Sequence, residues 1–147
     1  MKSIVLMATL VLSANAFSGE ALIKFTRGSG FAPIPYSSVL SVYETGKVEV
    51  VTTRGTTKTK TQLEDLSPNT VQEIKDNIEA VKAKDVIVDL DANKPRCMDA
   101  PSSRIIITKN KKEVMIASFA SCHRNQMQSK AATALIKKTL EIDAKRK

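Results

Sequence analysis

Apolar and polar positions alternate with a period of about two over several short runs and with a period of about 3.6 over two longer ones, which predicts strands and helices respectively. Ala21 to Thr26 (Ala-Leu-Ile-Lys-Phe-Thr) is β-prone and is ended by Arg27-Gly28-Ser29-Gly30, where glycine frees the backbone to turn. Phe31 to Tyr36 is apolar but broken by Pro33 and Pro35. Prolines disfavour helix and remove ladder donors, so a loop or irregular edge is expected there. Ser38 to Glu44 and Lys47 to Thr53 are rich in β-branched and aromatic residues, and Glu44-Thr45-Gly46-Lys47 between them supplies the glycine of a hairpin turn. Alternation in the second arm sets Val48, Val50 and Thr52 on one face and Lys47, Glu49, Val51 and Thr53 on the other. Beyond Arg54-Gly55, Thr56 to Leu63 alternates threonine with Lys58, Lys60 and Gln62, the pattern of a half-exposed strand whose lysines protect a sheet edge.

The first helical pattern follows Leu66-Ser67-Pro68, in which Ser67 can cap, Pro68 suits the first helical position and Leu66 can staple against Val71. It predicts a helix from Pro68 to about Ala83, with Val71, Ile74, Ile78 and Val81 on its buried side. Asp85 to Leu90 is apolar and β-branched, either a short strand or a segment docking the helix into the core. Arg104 to Thr108 and Glu113 to Phe119 then read as a second hairpin around Lys109-Asn110-Lys111-Lys112. Asn125 or Ser129 can cap a second helix to about Ala144, with Met127, Ala131, Leu135, Ile136 and Leu140 or Ile142 as its apolar side. Lys145-Arg146-Lys147 places cations at its end, where the helix dipole favours them. The order strands, helix, strands, helix predicts an α+β domain, an antiparallel meander with both helices packed on one face. No motif is specific enough to name a family.

Composition adds a compartment. With 42% hydrophobic and 26% charged residues in 147, the chain falls in the range of one globular domain. Lys2, the apolar run Ile4 to Leu12 and Ala14-Asn15-Ala16 have the form of a signal peptide over residues 1–16, so a single domain over 17–147 and a periplasmic or secreted location are expected. The apolar run is too short to span a bilayer. Export makes a disulfide between Cys97 and Cys122 the expected state of the two cysteines. If Thr108 faces Glu113, Cys122 falls opposite Asp99, two residues from Cys97. Closing that loop would stabilise the fold by about 3 to 4 kcal/mol in the chain-entropy model.

Candidate chemistry is sparse. Cys97, Asp99, Cys122 and His123 could form a small enzyme or metal site, but a sulfur held in a disulfide is no nucleophile, and neighbours on an extended chain point to opposite sides. The acid pairs Glu64-Asp65 and Asp89/Asp91 read as a helix-dipole complement and a solvated loop end. No phosphate loop, nucleophile elbow or zincin motif occurs, and no cofactor is implied. A net charge of +8, or +7 without the leader, favours anionic partners. With two Tyr, four Phe and no recognisable module, nucleic acid is disfavoured against a protein or an anionic envelope polymer. The contact candidates are the stiffened loop with Phe31, Ile34 and Tyr36 and the basic tip with Lys109, Lys111 and Lys112. For the loop, the ordinary alternative is that Phe31 and Ile34 fold under the sheet and close the core. The expectation is an exported, non-enzymatic domain that binds a macromolecular partner, in a narrower version an inhibitor of a secreted or periplasmic hydrolase. The alternative is the small enzyme or metal site around His123.

Overall fold

The computed structural model describes residues 19–29, 33–82, 86–90, 102–119, 123–127 and 129–146. Its elements run β1 (Ala21–Gly28), β2 (Tyr36–Tyr43), β3 (Val48–Arg54), β4 (Thr57–Gln62), α1 (Pro68–Ala80), β5 (Val86–Leu90), β6 (Ser102–Lys109), β7 (Lys112–Ser118), β8 (His123–Met127) and α2 (Lys130–Ala144). Six strands form one antiparallel sheet in the order β4-β3-β2-β1-β6-β7, while β5 and β8 pair as a separate antiparallel ribbon that lies near β7. The fold is α+β, as the residue pattern implies. The meander is interrupted, because β1 is central and pairs with both β2 and β6. The expected leader, residues 1–16, and Cys97, Asp99 and Cys122 lie outside the described residues.

One apolar cluster binds sheet and helices together. Ile23 and Phe25, Leu40 and Val42, Val48 and Val50, and Ile105 and Ile107 project from one face onto Ile74, Ile78 and Val81 at α1 and Ala132, Leu135, Ile136 and Ile142 of α2. Both helices therefore cover the same side. Burying each large side chain contributes about 1.5 to 3 kcal/mol, which is why the pattern of apolar positions dictates the layering. The alternation expected of β3 holds, with Val48 and Val50 buried. β4 is the outer edge strand and all of its residues are exposed.

Helix α1 begins as its sequence dictates: Ser67 Oγ accepts from Thr70 N at 3.2 Å, and Pro68 occupies the first turn. It ends at Ala80 rather than Ala83, with Val81 as the C-cap. Lys109 reaches across from β6 and donates to the carbonyls of Glu79 and Val81 at 2.5 and 2.6 Å, supplying partners that the last turn lacks within the helix.

Three features depart from the pattern. The second hairpin turns on two residues rather than four: Lys109 pairs with Lys112, and Asn110 and Lys111 both have positive φ, 51° and 59°, as a type I′ turn requires. Its register puts Thr108 opposite Glu113 but shifts by one between Ile105 and Ile106, so Ile105 faces Ala117. This β-bulge breaks the extrapolation that set Cys122 opposite Asp99. The third departure is β8, which takes up Asn125, one of the two cap positions that the sequence offers for the second helix. Met127 belongs to a strand, Ser129 caps α2 by accepting from Ala132 N at 3.2 Å, and Ile142 is buried where Leu140 is exposed.

Candidate functional site

The end of the sheet where β1, β3 and β7 finish and β2, β4 and β6 begin carries a set of chemically informative side chains. Its local geometry starts with the connection between β1 and β2. Ser29 N donates to Tyr36 O at 2.9 Å, Tyr36 N donates to Ser29 Oγ at 2.9 Å, and Gly55 N donates to Pro35 O at 2.9 Å. These bonds, added to the fixed φ of Pro33 and Pro35, hold the segment against the β3–β4 turn. That turn has two central residues, and Gly55 takes the first with φ 58°, the position where type II′ geometry favours glycine.

The described part of the loop presents Ile34 and Tyr36 to solvent. Ile34 is 52% exposed and Tyr36 40%, and Phe119, just beyond β7, is 43% exposed. Ile34 does not fold under the sheet, because its loop is tied over the glycine of the adjacent turn and its Cγ2 lies at the open side of Gly55. Phe31 lies outside the described residues. Phe119 packs edge-on against the buried Phe25 with ring centroids 6.4 Å apart, and Arg27 stacks over the same Phe25 ring at 4.7 Å, a favourable cation–π arrangement.

Arginines frame these apolar residues. Arg27 forms an ion pair with Asp143, whose carboxylate is almost wholly buried. Arg146 Nη1 donates to the buried Ser38 Oγ at 2.5 Å, and its Nε lies 2.6 Å from Asp143 Oδ1 without the alignment of a hydrogen bond. Its buried Nη2 has no hydrogen-bond partner among the described residues. Burial, the largest influence, lowers the pKa of the Arg146 guanidinium; Asp143 opposes that shift and Arg27 adds to it. Arg54 is exposed and stands opposite Tyr36 in the β2–β3 ladder. One carboxylate thus serves two guanidiniums, with a third arginine beside them, so the surface keeps an excess of positive charge.

The sequence pattern indicated part of this surface. Ile34 and Tyr36 were legible from the proline-stiffened apolar run. Arg27, Asp143 and Arg146 were not: α2 meets β1 only in the folded chain, 116 residues away along the sequence, and Arg146 had the appearance of an ordinary helix-end cation.

The basic tip lies elsewhere, at the other end of β6 and β7. Lys111 and Lys112 are exposed there, while the Lys109 ammonium is held by the α1 carbonyls. A cleft of about 330 Å³ adjoins it, floored by Val81, Ile107 and Val114. Glu64 and Asp65 line a second cleft of about 340 Å³ with Lys138 and Glu141 of α2, which pair at 3.9 Å, and Lys145 just beyond it. His123 forms part of the β8 backbone opposite Leu90, and Asp91 lies outside the described residues. Among the described residues no cluster of three or more His, Cys, Asp or Glu side chains could hold a metal ion, and no helix is long and apolar enough to cross a membrane. No family model, curated protein or solved structure matches the chain.

Proposed function

We propose that this chain is an exported, non-enzymatic domain that binds a protein partner through the arginine-framed apolar surface at one end of its sheet. The observation that carries the reading is that one end of the sheet exposes Ile34 and Tyr36 beside Arg54, and Phe119 where Arg27 stacks on its ring neighbour Phe25. Exposed aromatic and arginine side chains held rigidly are the usual makings of a binding hot spot. Little entropy is lost when a pinned loop docks, so the apolar contacts translate more fully into affinity. The positive excess selects a partner that surrounds an apolar contact with carboxylates, and it speeds encounter with such a surface. The rigid Pro33 to Tyr36 segment also suits the narrower version, insertion into the cleft of a secreted or periplasmic hydrolase. Export follows from the leader-like residues 1–16, and Cys97 with Cys122 would then be joined as scaffold.

The test is site-directed photocrosslinking in the exported fraction of the native cell. A benzophenone amino acid at Ile34 is expected to trap a defined protein, competed away by unmodified domain, whereas the same probe at Gln72 on the exposed side of α1 traps none. No adduct from position 34, or the same adducts from both positions, contradicts the proposal.

A further inference from the structure

The outer edge of β4 is a second surface, independent of the arginine-framed one. Leu63 N donates to Val48 O at 2.9 Å, which fixes the phase of the β3–β4 ladder. In an antiparallel pair the backbone groups of alternate residues point the same way, so Thr57, Thr59 and Thr61 turn theirs toward β3. Lys58, Lys60 and Gln62 turn their N–H and C=O groups outward. β3 is the only strand hydrogen-bonded to β4 among the described residues, and every β4 side chain is exposed. The result is a row of open donors and acceptors with a lysine at two of the three outward positions.

We infer that β4 accepts an extended acidic segment of a partner protein as an added antiparallel strand. Strand addition draws affinity from main-chain bonds and selectivity from side chains at alternate positions. Here the partner residues directly opposite Lys58 and Lys60 would share their face of the sheet, where carboxylates are favoured and cations disfavoured. A second copy of β4 is excluded as the occupant on the same ground, since its own lysines would meet these. Lys60 already leans on Glu49 at 2.7 Å, so Lys58 is the stronger attractor. Lysines on an edge strand discourage indiscriminate pairing, and they leave acidic strands as the class admitted.

The probes are a short peptide alternating Glu with Thr, its counterpart with Lys for every Glu, and a scrambled form with the acids consecutive. Amide hydrogen exchange of the full folded chain is followed by NMR. At saturating alternating acidic peptide, exchange at Lys58, Lys60 and Gln62 is expected to slow about tenfold or more, with little change at the already paired Thr59 and Thr61. The double reversal Lys58→Glu/Lys60→Glu is expected to transfer that protection to the basic peptide. Lys60→Pro, which removes an outward donor and no ladder bond to β3, is expected to abolish it. Unchanged exchange at the three outward amides with the acidic peptide, or equal protection by the basic or scrambled one, overturns the inference. If the proline variant fails to fold, the charge reversal decides.

Discussion

Gly46 shows how a single position can be dictated twice. Its φ of +87° lies in the left-handed region, and a Cβ built there would stand 2.7 Å from the carbonyl oxygen of Leu66. Leu66 N in turn donates to Gly46 O at 2.8 Å, so the β2–β3 turn and the entry to α1 are clamped together at a point with no room for a side chain. Left-handed backbone alone costs a residue with a Cβ about 1 to 2 kcal/mol. Gly46→Ala is therefore expected to lower the unfolding free energy by at least about 2 kcal/mol in a denaturant titration. Gly28, whose Cβ would meet only Ser102 Oγ at 3.9 Å, serves as the tolerant comparison. The glycine of the turn was visible in the sequence as a hairpin signal; its clash with Leu66 was not, because it depends on where the chain returns twenty residues later.

Among the elements, those whose own residues carry both pattern and punctuation were legible. α1 has a capping serine, a first-turn proline and buried Val71, Ile74 and Ile78 at helical spacing. The β2–β3 hairpin has alternation on both arms and its glycine. β8 has neither: His-Arg-Asn-Gln-Met is polar with no period, and its strand geometry comes from pairing with β5. The bulge in the second hairpin was hidden for a related reason. A one-residue register shift leaves both arms looking like ordinary strands. The three lysines of the basic tip look equivalent in sequence, yet only Lys109 completes the end of α1. Lys109→Met is expected to destabilise the domain by about 1 kcal/mol, in line with a cation serving a helix C-terminus. Lys111→Met and Lys112→Met should stay within about 0.5 kcal/mol of wild type, as ordinary surface changes do. Equal effects of the three in thermal or denaturant unfolding would contradict that division.

At the scale of the whole molecule, helices confined to one face of the sheet leave its loop ends free. At one of these ends α2 closes against β1 and β2 through Arg27, Asp143, Arg146 and Ser38. The same contacts that anchor the last helix hold the arginines beside Tyr36, so structure and the proposed recognition share their residues. This pairing of distant segments explains why the sequence revealed the apolar loop but not its charged frame. The proposed export sets a further expectation. In the mature protein Cys97 and Cys122 should resist alkylation, by intact mass, until a reductant is added, and reduction should remove about 3 kcal/mol of stability. Both thiols alkylating in native, unreduced protein would rule out the disulfide and return attention to His123.

Tyr36 and its neighbours form the proposed binding face. Its most direct test is calorimetric titration of the protein trapped at position 34 against wild type, Tyr36→Ala and Gln72→Ala. A hot-spot tyrosine predicts that Tyr36→Ala weakens binding by about thirtyfold, equivalent to about 2 kcal/mol, while Gln72→Ala leaves it unchanged. Equal affinities for wild type and Tyr36→Ala, with the variant folded, would show that Tyr36 is not part of a binding face.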